Sequence, residues 1–307
     1  MRSTVFHQSV HLEDHEMYGL STECPFCASS ARKPVMILQT SPEVFLLNCA
    51  SCHASSASRM PKPEALDSYY GQYYDDSVKE KVTADTPSRI AAHIFDHSKT
   101  YIADPAGKEV AMLDYGGGDG SISTGIANRM LANGVQKVSI SLLDYDQSLK
   151  ECDEGQIQII RPANLAEVPD GAMDIVVASA VIEHIPDPRK VLIKLLASLK
   201  VGGVFYARTP YVYPLMKIAQ AINSQFDFTY PAHVHDLGAK FWNGMIENLS
   251  IEGEFEMTRS TPSIVETSFD QHFVRTLAAY TLKIPGYVFK ENYGLVGGWE
   301  VFIRRLA

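Results

Sequence analysis

The sequence predicts an α/β protein, a mainly parallel sheet with helices on both faces, preceded by a small cysteine ribbon. Three observations carry this. A glycine-rich turn, Asp114-x-Gly116-x-Gly118-x-Gly120, follows the apolar run Val110–Leu113 and opens an amphipathic helix. From Val110 onward, strand-like and helix-like segments alternate, which is the pattern of a parallel sheet that binds ligands at the carboxyl ends of its strands. Ahead of them stand two Cys-x-x-Cys pairs.

Length and composition set the bounds. A chain of 307 residues suggests about two domains, and 46% apolar content supports a sizeable core. The formal charge of −9 and a pI near 5.6 argue against a nucleic-acid partner, because that binding rests on Lys and Arg neutralising phosphates. The N-terminus lacks a charged-then-apolar signal pattern and no apolar run approaches about 18 residues, so no membrane contact is expected and a cytoplasmic location is the default. Four of the five cysteines lie in close pairs, which suits a reducing compartment and a metal.

Taken in order, the first element is the ribbon. Cys24 and Cys27, then Cys49 and Cys52, flank two short strands at Val35–Leu38 and Val44–Leu47 around the turn Thr40-Ser41-Pro42-Glu43. Two knuckles joined by a hairpin bring four thiolates into a tetrahedron, the geometry of a closed structural Zn²⁺ site. His53 is kept as a substitute ligand; His7, His11 and His15 read as solvated or capping residues. The organisation expected is residues 1–66 as N-terminal segment and ribbon, then 67–307 as the α/β domain, with inserts near 210–236 and 262–295 over the substrate pocket.

The tyrosines Tyr69, Tyr70, Tyr73 and Tyr74 either pack an amphipathic helix or bring a hydroxyl to a cofactor. Asp85–Ala103 reads as a covering helix with Thr86, Pro87 and Ser88 as start signals. Strands are expected near 110–114, 138–143, 156–160, 172–178 and 202–208, and helices near 121–133, 146–153, 188–199 and 237–249. Ile251–Arg259 and Val296–Arg305 close the sheet. At the Gly116–Gly120 turn the backbone adopts positive φ and approaches a ligand. Asp144 ends the second strand, where a carboxylate holds ribose hydroxyls; Tyr145 adjoins it, and Asp146 caps the helix that follows.

These motifs resemble the class I S-adenosylmethionine (SAM)-dependent methyltransferases. The glycine turn has that family's Asp-x-Gly-x-Gly-x-Gly form, and the resemblance continues through Asn164–Pro169, Asp170–Ser179 and Val181–Pro188 (VIEHIPDP), over about a hundred residues in order. It implies a Rossmann-like, seven-stranded sheet with one antiparallel strand, SAM as cofactor and S-adenosylhomocysteine as product. It also implies cofactor roles for Asp114, the three glycines, Asp144, Tyr145, Asn164, Leu165 and Ser179, with one tyrosine hydroxyl, Tyr73 or Tyr74, near the methionine carboxylate. Asn164 stands where the family usually has an adenine-binding Asp, and its carbonyl oxygen can accept the same bond. The ribbon, Pro61–Leu66 and the tyrosine pairs further resemble a bacterial subgroup associated with sugar, polysaccharide and secondary-metabolite pathways. The glycine usual after each knuckle is Ala28 and His53 here.

Methyl transfer needs in-line positioning, and an oxygen nucleophile gains from a general base. His184 follows the fourth strand and is either that base or a shaper of the cofactor pocket. His235, with Asp236 beside it, is the second candidate, unless Asp236 only caps the helix at Leu237; His233 and His272 rank behind. No Asn-Pro-Pro-Tyr stretch follows the fourth strand, which disfavours amide or nucleobase amines. Phe226, Phe228, Tyr230, Phe269, Phe273, Tyr280 and Tyr287 line a small-molecule pocket or belong to the core. The function expected is O-methylation of a small polar or glycosidic acceptor, with an oligomer open. The alternatives are a protein- or RNA-modifying enzyme docked through the basic residues Arg32, Lys33, Arg59 and Lys62, and a non-catalytic SAM-binding scaffold.

Overall fold

A computed structural model describes residues 9–73, 87–101, 108–144, 152–224 and 227–307. His7, Tyr74, Thr86, Tyr145, Asp146 and Phe226, to which the sequence assigned roles, lie outside the described residues. The chain begins with the hairpin β1 (Arg32–Thr40) and β2 (Glu43–Cys49), then β3 (Ser55–Ala57), α1 (Pro63–Tyr73) and α2 (Pro87–Ser98). The α/β part follows as β4 (Glu109–Tyr115), α3 (Ser121–Ala132), β5 (Lys137–Leu143), β6 (Cys152–Glu154), β7 (Ile157–Ile160), β8 (Met173–Ser179), α4 (Pro188–Ala197) and β9 (Leu199–Tyr211). It ends with α5 (Tyr213–Ala221), β10 (His235–Asp236), α6 (Ala239–Leu249), β11 (Phe255–Pro262), α7 (Phe269–Phe289) and β12 (Gly297–Arg305).

The main sheet has the order β11-β12-β9-β8-β4-β5-β7-β6. The expected seven strands are all there, and β12 is the one antiparallel strand among them. The short β6 adds an edge, antiparallel to β7. The helix expected near 146–153 is therefore corrected at its end: Cys152–Glu154 is strand, because Gly155 at φ 67° turns the chain straight into β7. Neighbouring strand residues alternate between two cores, as a parallel sheet buried on both faces requires. Leu113, Val176 and Phe205 face one core with Trp242 and Trp299; Met112, Ile175 and Tyr206 face the other with Ile90 and Ile94 of α2.

The ribbon is sewn into this body. β1, β2 and β3 form a second sheet whose fourth strand is β10, from the 210–236 insert. Phe228, Tyr230 and Val234 of that insert share a third core with Leu12, Met36, Val44 and Leu46. Phe228 and Tyr230 are thus core rather than pocket lining. Phe269, Phe273 and Tyr287 lie on α7 with large exposed areas, and Tyr280 stacks on Phe269. Among the described residues, no helix is long and apolar enough to cross a membrane.

Candidate active site

At the carboxyl end of β4 the glycine turn lies against β8 and β5. A Cβ on Gly116 would stand 2.3 Å from Val181, and one on Gly117 would stand 2.4 Å from the Asp114 carboxyl carbon. Gly116, Gly118 and Gly120 all have positive φ, so the backbone reaches a position closed to other residues. The Gly118 N–H donates to Asp144 at 2.7 Å. Asp114 is buried, and burial pushes its carboxyl up to about 6, with the Ser123 hydroxyl holding it down in part. Its Oδ2 has no hydrogen-bond partner among the described residues.

Next along the rim, β8 ends in Ser179, whose hydroxyl accepts from Arg208 Nε at 3.1 Å. Ala180 follows with φ 57°, a left-handed conformation of the kind that collects at functional sites. The short helical turn Ile182–His184 then presents Glu183 and His184. His184 Nδ1 lies 2.8 Å from the Ala232 carbonyl oxygen and 3.2 Å from the Tyr70 hydroxyl, so the tyrosine cluster reaches this site through Tyr70. Glu183 is buried, and burial pushes its carboxyl up to about 8. His233 brings its ring 4.8 Å from that of His184. Asn164 is exposed and caps the turn Leu165–Glu167, its Oδ1 accepting from the Ala166 N–H at 2.9 Å.

His235, the other histidine expected as a base, lies in the core. It is fully buried, Nε2 meets the Ile185 carbonyl oxygen at 2.8 Å, and Nδ1 meets the Ser56 hydroxyl at 3.0 Å. Phe26 packs edge-on to its ring, and burial pushes its pKa down to about 3. A histidine with both nitrogens occupied inside the core is a strut. Asp236 does cap a helix, though not the one at Leu237: it accepts from the Val212 N–H at 2.6 Å and from that of Tyr213, at the start of α5.

Sequence reasoning did not single out Arg208 or Glu183. Arg208 is 4% exposed and paired with Glu266 at 2.7 Å. A charge inside the apolar run of β9 was its available signal, since buried charges need partners.

The four cysteines converge. Cys24 and Cys52 sulfurs stand 3.6 Å apart, as do those of Cys27 and Cys49. Four sulfurs about 2.3 Å from a tetrahedral Zn²⁺ lie about 3.8 Å from one another, so the tetrad fits. Ala28 and His53 adopt φ 60° and 62°, and their N–H groups donate back to Cys24 and Cys49, so both knuckles keep the turn that glycine usually serves. His53 is exposed and is not needed as a ligand.

Residues 85–247, more than half of the chain, match a family described as a methyltransferase domain. The chain belongs to the SAM-dependent methyltransferases. The matched stretch contains the glycine turn, Asp144, Ser179 and the Glu183–His184 turn. SAM fits the residues present: a backbone cradle that side chains would fill, a carboxylate at the end of β5, and an unpartnered buried carboxylate oxygen at the end of β4. No curated protein matches the chain. Among solved structures it is similar to the plantazolicin methyltransferase BamL, at 12% identity and a TM-score of 0.45 over 80% of this chain and 92% of that one. It is also similar to a geranyl diphosphate methyltransferase (13%, 0.43, covering 71% and 85%). A third is a SAM-dependent methyltransferase from Mesorhizobium loti (14%, 0.41, covering 68% and 96%).

Proposed function

We propose that this methyltransferase O-methylates a small polar or glycosidic acceptor whose hydroxyl docks against the Glu183–His184–His233 cluster. The observation that carries this is the convergence of those three side chains on the loop after β8, next to the Gly116 turn that Val181 packs against. SAM supplies a methyl group made electrophilic by its sulfonium. The chain's residues then have four tasks. Asp144 and the glycine cradle hold the nucleoside, Asn164 and Leu165 border the adenine, and Ser179 with Arg208 shapes the cofactor's methionine end. His184, with its Nδ1–H fixed by the Ala232 carbonyl, has its lone pair on Nε2 and takes the hydroxyl proton there.

The four-thiolate tetrad holds Zn²⁺ with no open position and no chemical step. In this reading the cysteine ribbon walls the site rather than docking a macromolecule. Three of the four basic residues weighed for RNA or protein docking are already engaged within the chain: Arg32 donates to the carbonyls of Ser21, Glu23, Ser56 and Ala57, Arg59 to that of Tyr18 and to the Asp14 carboxylate, and Lys62 to the carbonyl of His15.

The test is a screen of hydroxylated metabolites by release of S-adenosylhomocysteine, with the methylated atom located by NMR. Methylation at oxygen, slowed in His184→Gln without loss of S-adenosylhomocysteine affinity, supports the reading. A nitrogen or carbon product, or a fully active variant, overturns it.

A further inference from the structure

Three ligand-competent side chains meet at the end of β8. We propose that Glu183, His184 and His233 bind a divalent transition-metal ion, distinct from the one in the cysteine tetrad. Their ligand atoms lie within 4.8 Å of one another. At bonds of about 2.1 Å, neighbouring ligand atoms stand about 3.0 Å (octahedral) to about 3.4 Å (tetrahedral) apart, so side-chain rotation must draw the set in by up to about 1.8 Å.

Outer hydrogen bonds already fix both imidazoles. The Ala232 carbonyl oxygen can only accept, so His184 Nδ1, 2.8 Å away, carries the proton and Nε2 the lone pair. The Thr229 hydroxyl donates to the Phe228 carbonyl at 2.5 Å. Its oxygen therefore accepts from His233 Nδ1 at 2.6 Å, which again leaves the lone pair on Nε2. An imidazole whose other nitrogen donates to a carbonyl or hydroxyl is oriented as a metal ligand.

The third ligand supplies an independent observation. Glu183 is 1% exposed, and its Oε2 has no hydrogen-bond partner among the described residues. A buried carboxyl oxygen without a partner is costly, and a cation held beside the group in place of its proton offsets that cost.

Two imidazoles and one carboxylate suit Fe²⁺, Mn²⁺, Co²⁺ or Zn²⁺ rather than Ca²⁺ or Mg²⁺, and they leave coordination positions open. The loop after β8 provides two ligands and the 210–236 insert the third, clasped by the Val234 N–H to the Glu183 carbonyl at 2.9 Å. The ion's role, though not its binding, rests on the O-methylation reading. A bound ion would coordinate the acceptor's hydroxyl and lower its pKa. The O–H bond would break with the proton passing to water, and the oxygen would attack the methyl carbon as its bond to the sulfonium sulfur breaks, S-adenosylhomocysteine leaving with that electron pair. In the loaded chain His184 is then a ligand; in the metal-free chain it is the base.

The full chain, with zinc in its tetrad, is titrated with Co²⁺ while bound metal is counted by elemental analysis and followed by absorption. The expected result is a second ion per chain that shows no thiolate-to-cobalt charge transfer. Glu183→Gln, which keeps the side chain's shape, and His233→Gln should each weaken it by about tenfold or more with S-adenosylhomocysteine binding retained. A single ion per chain, or a second ion held equally by both variants, overturns the site. A product methylated at nitrogen or carbon, with the second ion still bound, overturns only its role.

Discussion

Asp144 is the residue whose function is most exposed to a direct test. Its carboxylate ends β5 and already accepts from the Gly118 N–H. Removing it should cost the charge-assisted hydrogen bonds to ribose, about 2–3 kcal/mol or roughly a hundredfold in S-adenosylhomocysteine affinity by calorimetry. An unchanged affinity would sink the ribose assignment. Ala28 and His53 make a second residue-scale case. Left-handed backbone costs a residue with a Cβ about 1–2 kcal/mol, partly offset by glycine's larger unfolded-state entropy. Ala28→Gly and His53→Gly should therefore each stabilise the zinc-loaded chain by up to about 1 kcal/mol in urea denaturation.

Lys283 supplies a pH-dependence. It is buried, donates to the carbonyl and hydroxyl of Ser263, and is pushed down by burial from 10.5 to about 8. The folded-state pKa lies below the unfolded one, so the unfolded chain binds more protons between these values. Stability should rise as pH goes from about 8 to about 10.5, by an amount of order 3 kcal/mol. Lys283→Met should flatten that rise relative to wild type when unfolding is compared at the two ends of the window. An identical slope in both proteins would show that the ammonium is not buried in solution.

At the scale of elements, β10 decides how the parts are joined. Two residues, His235 and Asp236, pair with β3; the first also reaches the Ile185 carbonyl and the second caps α5. His235→Ala should cost about 2–4 kcal/mol, from the cavity left and the polar partners stranded. The pH profile of turnover should stay in place; a shifted acidic limb would return His235 to the role of base. The strands and helices of the α/β part were legible because their apolar periods are long and their turns carry Gly, Asp or Pro. β6, α5 and α7 were not, since a three-residue edge strand has no period to read, and the apolar residues of α7 do not all face the core.

At the scale of the molecule, the tetrad and the methyltransferase body share one core. Cys24, Phe26, Cys49 and Cys52 are buried in the same cluster as Phe241, Trp242 and Trp299, and Arg189 ties the Phe26 carbonyl to α4. Metal analysis should find zinc bound by the tetrad, and chelation should lower the melting of the whole chain as one transition, because folding free energy and metal binding are linked there. A methyltransferase body that melts unchanged after the zinc is removed would make the ribbon an independent module.

Much of the chemistry lies in local sequence. The glycine turn, the carboxylate at the second strand's end and the two cysteine knuckles are short motifs whose backbone demands only a few residue types can meet, so the sequence alone determined the family, the cofactor and the candidate metal tetrad. What the histidines do was decided by tertiary structure. His235 and His233 are two residues apart, yet the surrounding packing holds one in the core between Ser56 and Ile185 and the other beside His184. The same holds for Glu183 and Arg208, whose importance comes from burial. Burial is a property of every element packed around a side chain, and no window of sequence contains it.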